Sequence, residues 1–96
     1  MVVEFLTFTI DIEERHAWMP IDEQTWSRFL EQQPGFVSKQ LWAPRENPNI
    51  VHAVIVWESE LSWQAIPVAA LAAVDIEMGP WHRQPQVQVF DLIRDC

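Results

Sequence analysis

Residues 36–57, FVSKQLWAPRENPNIVHAVIVW, contain two β-strand patterns separated by a polar turn. The first pattern, residues 36–43, alternates apolar and polar side chains, whereas the second, residues 50–57, is apolar on both faces. Between them the segment PRENPN is rich in proline and asparagine, which favour turns. The stretch therefore predicts a β-hairpin whose second strand is covered on both sides.

The sequence on each side of this hairpin predicts one strand and one helix. Residues 2–10 are rich in Val, Phe, Thr and Ile, which suit a strand, and residues 12–33 change to a helical period. Residues 60–78 predict a second helix, and residues 87–93 predict a last strand. The order β-α-β-β-α-β is that of the ferredoxin-like α+β fold, a four-stranded antiparallel sheet with both helices on one face. We expect residues 1–96 to form a single domain.

Prolines interrupt both predicted helices. Because a proline inside a helix removes a backbone donor, Pro20 favours a short turn at residues 13–18 followed by a helix that begins at Pro20. One helix kinked at Pro20 is the alternative. The second helix has Ser59 as its candidate N-cap, is split by Pro67 and ends at Gly79.

The second face of the predicted sheet is also apolar. In strand one, large apolar side chains occupy positions of both parities, namely Val3 and Phe5 against Leu6 and Phe8. The chain is 49% hydrophobic and contains six Trp and five Phe, more large apolar surface than a four-stranded monomer hides easily. We therefore expect a homodimer whose two sheets stack as a dimeric α+β barrel, with about 1,500–2,500 Å² buried in total.

The charge and the cysteine content exclude several classes of partner. The net charge is −8 and Lys39 is the only lysine, so the basic surface that nucleic acids and anionic membranes require is missing. The first ten residues lack a basic segment and alternate like a strand, which predicts no signal peptide and a cytoplasmic protein. Cys96 is the single cysteine and the histidines are scattered, so we expect no metal site.

Asp22 is the polar residue that points most clearly to chemistry. On the helical wheel it lies between Met19 and Trp26 and therefore faces the apolar side of the helix. It could be a catalytic acid or base in a pocket, where burial would raise its pKa. Alternatively, it lies in the first turn of a helix that begins at Pro20 and stabilises the free amides there. Arg15 could reach the same side, either as a ligand-binding residue or as a structural ion-pair partner of Asp22.

His52 and the tryptophans are the other candidates. His52 shares a strand face with Val54 and Val56, where it could act as a base or be a hydrogen-bonded core or interface residue. Several tryptophans could line the space between helices and sheet and bind a flat aromatic ligand, although each also suits the core or a dimer interface. The candidate wall residues are Trp26, Trp42, Trp57 and Trp63.

Short motifs along the chain resemble those of a known family. They are Asp22-x-x-x-Trp26, Pro34-Gly35-Phe36, Lys39-x-x-Trp42, Trp57-x-Ser59 and Trp63-x-Ala65-Ile66-Pro67. The pattern resembles a family of short cyanobacterial-type proteins related to the antibiotic biosynthesis monooxygenase superfamily of dimeric α+β barrels. The resemblance covers about residues 4–90 and does not include His52 or the region of His82.

The resemblance implies the ferredoxin-like fold, the homodimer and a range of activities, from cofactor-free oxygenation of polycyclic quinols to haem degradation. Haem-degrading members have a histidine on the second helix, and residues 60–78 contain none, so we expect no cofactor. We predict a cofactor-independent monooxygenase-like enzyme for a small aromatic compound, with Asp22 or His52 as the base. A non-catalytic binder of a small hydrophobic or aromatic ligand and a structural dimer without a pocket are the alternatives.

Overall fold

The computed structural model describes residues 1–96. Its four strands are β1, Val2–Thr9; β2, Phe36–Trp42; β3, Ile50–Trp57; and β4, Gln86–Asp91. They form one antiparallel sheet in the order β2-β3-β1-β4, in which β1 pairs with β3 along its whole length. The predicted ferredoxin-like sheet is confirmed, and the strand ends differ from the predicted ones by at most two residues.

The helical run between β1 and β2 is continuous. It comprises α1, Ile12–Asp22; a π-helical segment, Glu23–Ser27; and α2, Arg28–Leu30. The Asp11 carboxylate accepts a hydrogen bond of 3.0 Å from the Glu13 amide and caps the start of α1. The expectation of a separate turn before a helix that begins at Pro20 is therefore wrong. Because Trp18 and Leu30 anchor the run in the core, tertiary packing outweighs the one backbone donor that Pro20 removes.

The second helical region is divided at Pro67, as predicted. It comprises α3, Glu60–Gln64; α4, Val68–Met78; and a 3-10 turn, Gly79–Trp81. The Ser59 hydroxyl accepts a hydrogen bond of 3.1 Å from the Ser62 amide, so Ser59 is the N-cap of α3. Gly35, with a φ of +83°, lies so close to Ser62 that a β-carbon there would collide with its side chain. No helix of the chain combines the length and the apolar character needed to cross a membrane.

The helices pack on one face of the sheet. Alternation along β3 directs Val51, Ala53, Ile55 and Trp57 toward the helices, and all four side chains are buried. We call the opposite surface of the sheet the open face. It carries Val3, Phe5, His52, Val54 and Phe90, with Trp42 opposite His52 on the neighbouring strand.

Candidate functional site

A cavity lies between the sheet and the helices. Its volume is about 230 Å³, and its walls combine side chains from the sheet, the first helical run and the α3–α4 region. Strand alternation explains the contribution of β1, because its cavity residues are spaced two apart. Such a cavity suits a small, flat, apolar ligand. The apolar wall residues include Leu6, Phe8, Trp26, Ala53, Ile55 and Trp63.

Asp22 and Lys39 form a buried ion pair at the cavity. Lys39 Nζ, from β2, lies 2.7 Å from Asp22 Oδ2 and 2.8 Å from Ser27 Oγ, both from the first helical run. The Lys39 and Asp22 side chains are only 8% and 4% exposed, so solvent screens the pair weakly. An ammonium group has three N–H donors, and these two bonds use two of them. The third N–H can serve a ligand.

The environment of Asp22 favours its protonated form. Burial raises the pKa of Asp22 above its ordinary value of 3.8, whereas the charge and the hydrogen bond of Lys39 oppose that rise. Because α1 begins at Ile12, Asp22 does not lie in a first helical turn, and the capping role considered for it is wrong. Its cost of burial is instead offset by the ion pair with Lys39.

Glu4 is a second carboxylate at the cavity. Its Oε1 accepts a hydrogen bond of 3.2 Å from Trp57 Nε1. Burial raises the pKa of Glu4, while the Trp57 indole and the charge of Lys39 oppose the rise. We call Glu4, Asp22 and Lys39 the buried charge cluster, since together they place two carboxylates and one ammonium in a mostly apolar cavity.

The connector that follows α4 completes the wall with a more exposed set of polar groups. His82 Nδ1 lies 3.2 Å from Asp75 Oδ1, and both residues line the cavity. Arg83 also lines the cavity and pairs with Glu14 of α1 at 3.0 Å. We call Asp75, His82 and Arg83 the cavity rim. No three His, Cys, Asp or Glu side chains are grouped closely enough to hold a metal ion.

This arrangement can transfer a proton and hold the anion that results. A carboxylate accepts a proton more readily when its pKa is raised toward neutrality, as burial does for Asp22 and Glu4. The Lys39 ammonium can stabilise a negative charge that develops on a ligand oxygen. The mostly apolar walls lower the local dielectric constant, which strengthens both effects.

Comparison with known proteins places the chain in a family. The sequence profile of the antibiotic biosynthesis monooxygenase family matches residues 1–66, more than half of the chain. The chain belongs to the antibiotic biosynthesis monooxygenase family. The wider relationship indicated by the motifs is thus confirmed, whereas the cyanobacterial-type relationship stays a prediction. A sequence comparison with curated proteins finds no match.

Solved structures share the fold of this family member at low sequence identity. A variant of SnoaB, a cofactor-independent oxygenase from Streptomyces nogalater, is 21% identical, with a TM-score of 0.69 over 98% of this chain and 94% of that one. The heme-degrader MhuD from Mycobacterium tuberculosis, with two hemes bound in its active site, is 21% identical, with a TM-score of 0.76 over 100% and 99%. A conserved protein from Methanosarcina mazei is 14% identical, with a TM-score of 0.69 over 93% and 89%. These likenesses show the shared fold.

Three of the sequence-predicted site residues meet at the cavity of this monooxygenase-family protein, namely Asp22, Trp26 and Trp63. Trp57 is fully buried in the core and reaches the site only through its hydrogen bond to Glu4. Arg15 does not pair with Asp22, because its guanidinium donates to the Pro48 carbonyl in the β2–β3 loop at 2.8 Å. Neither Trp57 nor Arg15 lines the cavity.

His52 and Trp42 lie on the open face and are separated from the cavity by the sheet. His52 Nδ1 is 3.1 Å from Thr7 Oγ1, and its ring stacks on Phe5 at 4.6 Å. The Trp42 indole is half exposed and donates to Gln40 at 2.9 Å. His52 and Trp42 lie on the open face because successive side chains of a strand point to opposite faces of the sheet. The contacts of His52 and Trp42 are typical of core or interface residues, the alternative to a catalytic or ligand-binding role.

Six polar residues that line the cavity are not among the sequence-predicted site residues: Glu4, Lys39, Asp75, His82, Arg83 and Gln84. Glu4 could have been inferred from strand alternation, because residues two and four positions apart, such as Leu6 and Phe8, share its face of the sheet. Lys39 could have been inferred because a buried carboxylate such as Asp22 needs a cationic partner, and Lys39 is the only lysine of an acidic chain. No local pattern joins Asp75 to His82, because their contact depends on the 3-10 turn that follows α4.

Proposed function

We propose that this protein is a cofactor-independent monooxygenase-like enzyme that acts on a small aromatic compound with a hydroxyl group. The observation that carries the proposal is the buried charge cluster in an otherwise apolar cavity. Membership of the antibiotic biosynthesis monooxygenase family supports it, as does the fold shared with SnoaB, itself a cofactor-independent oxygenase.

Oxygenation without a cofactor requires a substrate that can reduce oxygen once it has lost a proton. 1-Naphthol and anthrone are suitable probes, because each reacts with one O₂ to give a quinone and one H₂O without an added reductant. In the proposed reaction a carboxylate, Asp22 or Glu4, accepts one of the two protons that the substrate loses. Lys39 stabilises the resulting anion, and Trp26 and Trp63 hold the ring against the sheet.

The size of the cavity supports a ligand of one to three fused rings rather than a haem. Its volume of about 230 Å³ is below the roughly 300–1,000 Å³ typical of pockets for drug-sized ligands, and haem is larger than many of those ligands. Helices α3 and α4 contain no histidine. We therefore expect titration with haemin to produce no shifted Soret absorption band.

We also propose that the active form is a homodimer in which two open faces stack as a dimeric α+β barrel. The support is the character of that face, where the aromatic rings of Phe5 and Phe90 are in contact at 5.8 Å and Phe90 remains 44% exposed. Exposed aromatic surface of this kind is typical of an interface.

Oxygen uptake tests the proposed activity. The purified protein is mixed with 1-naphthol or anthrone in air-saturated buffer with a metal chelator, and O₂ consumption and quinone absorbance are followed together. We expect one O₂ consumed per quinone formed, and no O₂ returned when catalase is added. A rate no higher than that of heat-denatured protein with both probes contradicts the enzyme proposal.

Substitutions in the buried charge cluster test the roles of the two carboxylates. Asp22→Asn and Glu4→Gln preserve shape and remove the negative charge, and loss of the general base should lower kcat about 10²-fold. Glu46→Gln, in the exposed β2–β3 loop, is the matched control and should leave the rate unchanged. Unchanged turnover in Asp22→Asn excludes Asp22 as the base.

A non-catalytic binder of a small hydrophobic or aromatic molecule is the second candidate. It is favoured by the contact between Asp22 and Lys39, since an ion pair of 2.7 Å must be weakened before the carboxylate accepts a proton. Quenching of tryptophan fluorescence by 1-naphthol, without oxygen uptake, is the result expected of a binder.

A further inference from the structure

His82 and Asp75 form a pair at the cavity rim, outside the buried charge cluster. The conversion of 1-naphthol to a quinone removes two hydrogens from the ring system, one from oxygen and one from carbon. The buried charge cluster accounts for one proton acceptor. A second acceptor at the same cavity would complete the reaction.

Asp75 determines which nitrogen of His82 is available. Nδ1 lies 3.2 Å from Asp75 Oδ1, and the negative charge of the carboxylate favours the tautomer in which Nδ1 carries the hydrogen. The neutral imidazole then has an unprotonated Nε2. Its side chain is 36% exposed, against 4% for Asp22, so His82 can exchange a proton with solvent as well as with a ligand.

Arg83 holds the His82 segment in place against the cavity. Its guanidinium bonds to Glu14 of α1 at 3.0 Å and to the carbonyl oxygens of Pro80 and His82 at 2.9 and 3.0 Å. It also lies 6.0 Å from the centre of the Trp81 ring. These contacts join the segment after α4 to α1, so His82 is presented to the cavity by a connector with several anchors.

We propose that His82, oriented by Asp75, contacts the hydroxyl group of the aromatic ligand and accepts its proton at Nε2. The O–H bond breaks, an Nε2–H bond forms, and the oxygen keeps the electron pair as an oxyanion. The electron pair of the anion then forms a bond from a ring carbon to O₂, and a carboxylate of the buried charge cluster accepts the proton from that carbon as the O–O bond breaks. One oxygen atom stays in the quinone, and the other leaves as water with the two protons. The inference rests on the proposed function and adds the residue that accepts the hydroxyl proton of the substrate.

Histidine NMR signals test the contact directly. The chain has three histidines, and His16 on the exposed side of α1 and His52 on the open face provide internal references. We expect 1-naphthol to shift the Hε1–Cε1 signal of His82 well beyond those of the other two. 1-Methoxynaphthalene, which lacks the hydroxyl proton, should shift it much less. Equal effects of the two compounds on His82 overturn the inference.

Variants provide the second measurement. His82→Gln should weaken 1-naphthol binding about five- to tenfold, as expected for a lost hydrogen bond, and leave 1-methoxynaphthalene binding unchanged. It should also lower kcat for 1-naphthol oxidation about 10²-fold. Asp75→Asn should act in the same direction with a smaller effect, and His16→Gln is the matched control.

Unchanged binding and kcat in His82→Gln reject His82 while the proposed function stands. No binding of 1-naphthol or anthrone to the unmodified protein, with no oxygen uptake, rejects both.

Discussion

The two faces of the sheet differ in the way they accommodate polar groups. On the face covered by the helices, the polar groups are charged and have partners. Lys39 lies 2.7 Å from Asp22, and Glu4 accepts a hydrogen bond from the Trp57 indole. On the open face, His52 bonds to the Thr7 hydroxyl and stacks on Phe5. The first arrangement is suited to proton transfer, and the second is suited to contact with another apolar surface.

Adjacent residues on one strand lie on opposite faces of the sheet and therefore have different environments. Trp57 is fully buried beneath the helices, whereas the adjacent Val56 lies on the open face. A tryptophan on a strand can therefore line the cavity only if strand alternation directs its side chain to the face covered by the helices. Substitutions on the covered face should therefore change the free energy of unfolding, whereas substitutions on the open face should change the stability of the proposed dimer.

The largest expected effect is on the covered face. Lys39→Met leaves the buried Asp22 carboxylate without its cation, and we expect a loss of about 3–5 kcal/mol in the free energy of unfolding. Urea denaturation measures it. Asp22→Asn in the same chain should recover part of the loss, because it removes the uncompensated charge.

The matched control for Lys39→Met is Arg28→Met. Arg28 pairs with Glu23 and Glu31, and all three side chains are largely exposed, so the cost should be much smaller than that of Lys39→Met. Equal losses in the two variants would mean that the covered face has no special electrostatic character.

The next effect concerns the open face. Phe90→Asp places a charge at the proposed dimer interface, and we expect it to weaken the dimer by about 2 kcal/mol or more while the circular dichroism spectrum is retained. Sedimentation velocity measures the dimer fraction. Leu61→Asp, at an 81% exposed position on α3, is the control and should leave the dimer intact. A dimer that tolerates Phe90→Asp places its interface elsewhere.

The smallest effect is the pH dependence caused by Glu4. Burial raises its pKa in the folded protein above the ordinary value of 4.5. The folded state therefore binds this proton more tightly than the unfolded chain. The associated stability is fully present below pH 4.5 and is lost as the pH rises through the folded-state pKa.

Glu4→Gln should remove this contribution. Between pH 4.5 and 8 the unmodified protein should lose more stability than the variant, by less than the loss expected for Lys39→Met. Urea denaturation at several pH values measures the difference. Parallel curves for the two proteins would show that Glu4 is not desolvated by folding.

Local patterns predicted most of the fold because its signals are short-range. The alternation in residues 50–57, the PRENPN turn and the Ser59 cap each act within a few residues, and the structure contains all of them. The effect of Pro20 does not follow from local pattern, because the penalty of a helical proline is local, whereas the packing of Trp18 and Leu30 that outweighs it is not.

The candidate site was less predictable, and Asp22 shows why. Helical spacing correctly turned it toward the apolar side, but its partner Lys39 lies on a strand seventeen positions later. Likewise, no spacing rule brings Asp75 to His82 across the end of α4. Contacts between different elements depend on how those elements dock.

By itself, the sequence determined the order of strands and helices, the acidic surface and the inward orientation of Asp22. These follow from hydrophobic period, residue propensity and net charge, which are properties of the chain. The tertiary structure alone decided that Lys39 neutralises Asp22, that Glu4 and His82 share its cavity, and that His52 faces away. The physical reason is that pairing of charges and sharing of a cavity depend on distances in space, which are set only when the sheet and the helices pack.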